Sequence, residues 1–140
     1  MQVSFLFYEI GKFALCGAGY QIRRDSLKDF YVERVGGAMI VYIQKELDHH
    51  LARKIREEVD FLIDRGNVKY LILDFGGVSF MDSSGIGMIM GRYKKLRFFG
   101  GELRMSGIRP EVERIFSMSG IYKMGPVYPD VETAMAGILV

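Results

Sequence analysis

The sequence predicts an α/β domain, a mainly parallel or mixed sheet with helices packed on it. Three observations point there. Apolar segments of strand length alternate with segments patterned at helical spacing; segments of helix length separate successive strands, as crossover connections do; and glycine or proline punctuates the boundaries. With 140 residues, 49% of them hydrophobic, the chain is long enough for one core and too short for two ordinary domains.

Taken in order, the segment 31–44, YVERVGGAMIVYIQ, predicts a hairpin of two strands around Gly36-Gly37, with β-branched and aromatic residues on both sides. Next, LDHHLARKIREEVDFLID (47–64) sets Leu51, Ile55, Val59 and Leu62 on one helical face, while Arg53 and Glu57 can pair on another. Asp48 is placed as its N-cap, and Gly66-Asn67 ends it. VKYLILDF (68–75) is an apolar run expected of a strand that is central or covered on both faces.

From Ser84 to Phe99, Ile86, Ile89, Met90 and Tyr93 recur at helical spacing, and the cations of RYKK and Arg97 gather toward the end, where they suit the helix dipole. Gly100-Gly101 stops this helix, and ELRMS (102–106) is a short strand. Pro110 opens the helix PEVERIFSMS, which Gly120 closes. A short strand near Met124 to Val127 and a helix from Pro129 to Leu139 are expected to complete the chain.

The first 26 residues lack this regularity. Glu9 and Lys12 interrupt their apolar start, which is too broken for a membrane span and lacks the early positive charge of a signal peptide. Residues 1–26 are therefore expected to be a leader or disordered extension, with the domain at 27–140. Two AGG codons at Arg23-Arg24 would spell a bacterial ribosome-binding site, and a TTG or CTG codon at Leu27 would then be a candidate translation start; the gene's nucleotide sequence decides this.

Nineteen Lys and Arg balance 17 Asp and Glu, and the basic residues are scattered rather than striped. No nucleic-acid partner and no membrane partner are expected. The single cysteine, Cys16, excludes an internal disulfide framework, and no Cys/His spacing suggests zinc, so the expected location is cytoplasmic, with no metal or cofactor.

FMDSSGIG (80–87) is the segment where chemistry could reside. It follows a strand and opens a helix, so Ser83 or Ser84 reads first as an N-cap. Nucleophilic catalysis by Ser83 would need a base and the G-x-S-x-G elbow, which DSSGIG does not match; His49 and His50, adjacent on a helix, point in different directions. Glycines 85, 87 and 91 match neither a P-loop nor a dinucleotide fingerprint. Asp48, His49 and His50 with Glu46 do not suggest a metal site, since consecutive side chains diverge around a helix and no second histidine lies at i+4, and the nine methionines read as core filler. Without a complete catalytic constellation, the residues favour a binding module over an enzyme.

ELDHH (46–50), FMDSSGIG (80–87), GRYKKL (91–96), RPEVERIF (109–116) and MSGIYK (118–123) stand in an order and spacing that resembles the STAS domain family, and within it the anti-sigma-F factor antagonists of spore-forming bacteria. The resemblance spans about residues 27–140. It implies a four- or five-stranded mixed sheet with about four packed helices. It also implies that Ser83 is phosphorylated by an anti-sigma factor that is itself a serine kinase, and that a separate serine phosphatase reverses this. Asp48 and Asp82 would be acidic neighbours at the docking surface, with Ser83, Ser84 and Gly85 completing the partner-binding set. The implied role in sporulation is partner switching: unphosphorylated protein binds the ADP-loaded anti-sigma factor and releases the sigma factor, without turnover of its own. Another phospho-regulated STAS module, as in a general stress response, or a nucleotide-binding STAS protein are the alternatives. Lys45 departs from the glycine usual before ELDHH and adds charge to the docking loop, whereas Ile86 and Tyr122 conserve the bulk of the usual leucine and phenylalanine.

Overall fold

Gly36 takes a left-handed φ of 58°, and there the chain reverses between two strands of six residues each. In the computed structural model, which describes residues 29–138, the elements run β1 (Phe30–Val35), β2 (Ala38–Ile43), α1 (His49–Asp64), β3 (Tyr70–Asp74), α2 (Ser83–Phe98), β4 (Glu102–Ser106), α3 (Pro110–Ser119), β5 (Val127–Tyr128) and α4 (Val131–Met135). The expected leader at 1–26 and the Leu27 start lie outside the described residues.

The five strands form one mixed sheet in the order β1-β2-β3-β4-β5. The β1–β2 hairpin is antiparallel, from Phe30 opposite Ile43 to Val35 opposite Ala38. The remaining pairs are parallel, joined by helical crossovers, with Ala38 beside Tyr70 and Tyr70 beside Glu102. β3 is central, as its apolar run requires.

Strand alternation sends Met39, Val41, Ile43, Leu71, Leu73, Leu103 and Met105 to one face, buried with residues of α1, α2 and α3. Phe75 and Phe116 meet there edge to face at 5.1 Å. Ala38, Ile40 and Ile72 point to the other face, where Ala134, Met135 and Ile138 cover them. The expected stripe of α1 is buried in full, and Met39, Met81, Met88, Met105 and Met135 do fill the core.

α1 and α2 lie side by side with their carboxyl ends together, because Asp60 of α1 meets Arg92 of α2 (2.9 Å) and Asp64 meets Lys95 (2.8 Å). Arg92 is only 6% exposed. Its pairing with Asp60 is Coulombic more than directional, since neither Arg92 Nε nor Asp60 Oδ1 makes a well-aligned hydrogen bond.

Four expectations are corrected. The α2 N-cap is Asp82, at φ −106° and ψ −173°, so the helix starts at Ser83 and neither Ser83 nor Ser84 caps it. The chain between Gly120 and β5 coils into a 3-10 turn, Ile121–Lys123, and pairing with β4 begins only at Val127, after Pro126, rather than at Met124. The last helix is short: Asp130 caps it by accepting from Thr133 N at 2.8 Å, and Ala136, extended at φ −61° and ψ 133°, ends helical geometry before Gly137. Finally, Arg53 and Glu57 are both exposed and form no ion pair with each other, whereas Lys54 of α1 pairs with Asp29 and Asp60 and Asp64 pair with α2.

Candidate functional site

Both helices that flank the site begin at the same end of the sheet. The loop before α1 and the loop before α2 are joined by a parallel bridge between Leu47 and Met81, with Leu47 N donating to Phe80 O (2.9 Å) and Asp82 N to Leu47 O (3.3 Å). This sets the next residues, Asp48 and Asp82, at the starts of neighbouring parallel helices. Asp48 Oδ1 accepts from Leu51 N at 2.9 Å, and Asp82 Oδ1 accepts from Ser84 N at 2.8 Å. The N–H of Leu51 holds the Asp48 carboxyl below the ordinary aspartate range, so it is an anion at neutral pH.

Ser83 occupies the first helical position and is exposed. The capping bond belongs to Asp82, and Gly85 N donates to Asp82 O at 3.0 Å, so the first-turn N–H groups of Ser84 and Gly85 are already engaged. A phosphate on Ser83 would gain from the helix dipole but would find few free N–H groups and one carboxylate immediately before it. Ser84 is half-buried and Gly85 is buried. A Cβ on Gly85 would come within 3.0 Å of Met81 and Leu47 side-chain atoms, so glycine is required there for the loops to close on each other. Gly87 and Gly91 face open space, which leaves Gly85 alone of the three with a packing reason. The structure thus brings Asp48, Asp82, Ser83, Ser84 and Gly85 to one end of the domain.

Beside Ser83 lies an open groove of about 600 Å³ between the start of α2 and α3. Phe80, Met81, Ile86, Val112, Ile115 and Met118 give it apolar walls, and Glu111 and Arg114 lie on it. Phe80 is 51% and Met118 76% exposed. The sequence reading missed these residues, although a signal was there. Val112 and Phe116 are the buried residues of α3, while Ile115, three before Met118, packs against the core only in part and forms with the exposed Met118 a second apolar ridge.

Lys45 is exposed on the same loop as Asp48, with its Nζ 3.6 Å from Asp29, which also pairs with Lys54 at 3.3 Å. His49 and His50 are exposed at the start of α1. Among the described residues, no three His, Cys, Asp or Glu side chains converge as a metal site. The arrangement offers an exposed hydroxyl beside an apolar groove.

The STAS domain profile matches residues 29–134. An anti-sigma F factor antagonist of Paenibacillus polymyxa is 38% identical over 104 residues, covering 74% of this chain and 89% of that one. The anti-sigma factor antagonist SpoIIAA in its unphosphorylated form is 30% identical with a TM-score of 0.62, over 78% of this chain and 99% of SpoIIAA. The Bacillus cell fate determinant SpoIIAA in its phosphorylated form matches at 30% identity and a TM-score of 0.65, over 76% of this chain and 96% of the other. A profile match over most of the chain, carried by the same sheet order and helix placement, makes the chain a member of the STAS domain family.

Proposed function

We propose that this protein is an anti-sigma factor antagonist of sporulation that works by partner switching at Ser83. In its unphosphorylated form it docks on an ADP-loaded anti-sigma factor through the Asp48–Asp82 end and the groove beside Ser83, releasing the sigma factor. In the ATP-loaded complex the same partner, a serine kinase, transfers the γ-phosphoryl group to the Ser83 hydroxyl, whose proton leaves with the kinase's base. A serine phosphatase returns the protein to its binding form. The protein is substrate and ligand in this cycle, without turnover of its own.

The observation that carries the reading is the exposed Ser83 hydroxyl at the first position of α2, free of the capping role and set between a carboxylate and an apolar groove. Its exposure suits a kinase, and the groove suits a docked protein segment. A phosphate there adds about 1.5 to 2 negative charges. It would face Asp82 and lie near Asp48 once the interface is desolvated, so the bound state suffers more than the free fold. The relatives' names support the antagonist role, and their solved phosphorylated and unphosphorylated forms support a phosphate switch.

The test is intact-mass and peptide mass spectrometry after incubation with the same organism's anti-sigma kinase and ATP. One phosphate on Ser83, absent in Ser83→Ala, is the expected result. Equal labelling of Ser83→Ala, or no labelling by a kinase active on another antagonist, would overturn the assignment.

A further inference from the structure

The end of the domain opposite Ser83 has a different surface chemistry. The 16-residue α2 is about 24 Å long, and at its far end stand its last residue Phe98, 84% exposed, and its C-cap Phe99, 54% exposed, in edge-to-face contact at 5.2 Å. The carboxyl end of α1 lies alongside, with Phe61 54% exposed beneath the Arg65 guanidinium, 5.2 Å from the ring centre. One exposed phenylalanine is ordinary, but three at one end of a small domain are not.

The charges at this end are one-sided. Asp60 and Asp64 are occupied by Arg92 and Lys95, and Glu102 by Arg104 at 3.1 Å. Among the described residues, Arg65, Lys69, Lys94 and Arg97 have no carboxylate within ion-pair distance. Lys94 lies one turn above Phe98 on the same helical stripe. Lys69 is beside the Gly100-Gly101 turn, its carbonyl accepting from Glu102 N at 2.8 Å. Arg97 reaches back to the Tyr93 hydroxyl at 3.0 Å.

We propose that this pole is a peripheral docking surface for an anionic lipid bilayer, with Phe98 and Phe99 entering the headgroup boundary and Arg65, Lys69, Lys94 and Arg97 facing the lipid phosphates. Aromatic rings with a ring of cations have the chemistry of interfacial anchoring, and anionic lipid supplies the missing counter-charge. A second copy of this chain fits poorly, because a two-fold contact would bring this patch of four cations against the identical patch of the partner. No helix among the described residues is long and apolar enough to cross a membrane, so the contact is with the surface alone. It revises the sequence-based expectation of no membrane partner. It also leaves the Ser83 end pointing away from the lipid, open to protein partners.

Co-sedimentation of the full chain with vesicles tests this. The chain is expected to pellet at low salt with vesicles of phosphatidylcholine and phosphatidylglycerol in equal parts and to stay soluble with phosphatidylcholine alone. Binding is expected to fade toward ~0.5 M salt, where the Debye length is only a few ångströms. Phe98→Ser with Phe99→Ser, and separately Lys94→Glu with Arg97→Glu, are each expected to weaken binding at least about tenfold with an unchanged thermal midpoint. Failure to pellet with the anionic vesicles would overturn the proposal. Undiminished binding by both double variants would do so too, by placing the contact elsewhere in the chain. Retention on immobilised polyglutamate without vesicle binding would assign the pole to an acidic protein instead.

Discussion

At Ser83 the division of labour between neighbouring residues determines what a substitution does. Because Asp82 makes the capping bond, Ser83→Ala removes an exposed hydroxyl from a first-turn position and is expected to change stability by less than about 0.5 kcal/mol. Asp82→Ala removes the cap and is expected to cost about 1 kcal/mol; urea unfolding of the two variants compares them directly. A larger loss for Ser83→Ala would mean that the serine has a structural role after all. DSSG offers three consecutive residues that can each cap a helix, and periodicity cannot choose among them. The choice is made by the Leu47–Met81 bridge, which fixes the chain in extended geometry up to Asp82, and that contact spans 34 residues of sequence. Glu33 is a second residue whose behaviour burial dictates. It is 1% exposed, accepts from the Tyr42 hydroxyl at 2.9 Å through Oε1, and leaves Oε2 without a partner. Burial raises its pKa above the ordinary 4.5, with the Tyr42 bond opposing in part. A carboxyl raised in the folded state contributes its full stability below its unfolded pKa and loses it as pH rises through the folded value. Glu33→Gln is therefore expected to stabilise the protein at pH 7, with the gain shrinking as pH falls toward 4.5; denaturation series at several pH values check both the sign and the trend.

At the scale of elements, the α1–α2 pair is fixed by Asp60–Arg92 and Asp64–Lys95 as well as by apolar packing. Removing one partner of a buried pair strands the other. Asp60→Ala leaves Arg92 buried without its carboxylate, and since Asp60 keeps some contact with water, a cost of about 2–3 kcal/mol is expected, toward the low end for such pairs. Arg92→Met, which keeps much of the volume and removes the charge, is expected to cost less than half as much. Equal losses would mean that packing, not charge, joins the two helices. The long elements were legible because each carries enough repeats of its period: the hairpin, α1, the central β3 and α2 were all expected within about two residues of their observed bounds. The last 20 residues were not, for a physical reason. A 3-10 turn of three residues, a strand of two and a helix of five are too short to show a period, and their positions depend on contacts with β4 and the second face of the sheet.

Across the whole molecule, α1 and α2 run parallel and give the domain two unlike ends. One gathers Asp48, Asp82, Ser83 and the groove; the other gathers Phe98, Phe99 and unpaired cations. Of the acidic members of the first end, Asp48 was legible as a cap and Asp82 as a motif residue, whereas the groove depends on how α3 lies against α2, which no local pattern encodes. The basic end was hidden for another reason: near-neutral overall charge averages over surfaces that the fold then separates. On the proposed switch, a phosphate on Ser83 would act on docking rather than on folding, since the Ser83 side chain is exposed at a helix start. The most direct measurement is calorimetric titration of the ADP-loaded anti-sigma kinase with the full chain in its unphosphorylated and Ser83-phosphorylated forms, with the thermal midpoint of each taken alongside. The expected result is a loss of affinity of at least about a hundredfold, as like charges meeting in a desolvated interface cost several kcal/mol, with nearly equal midpoints. Equal affinities, or an affinity lost together with the fold, would contradict the account.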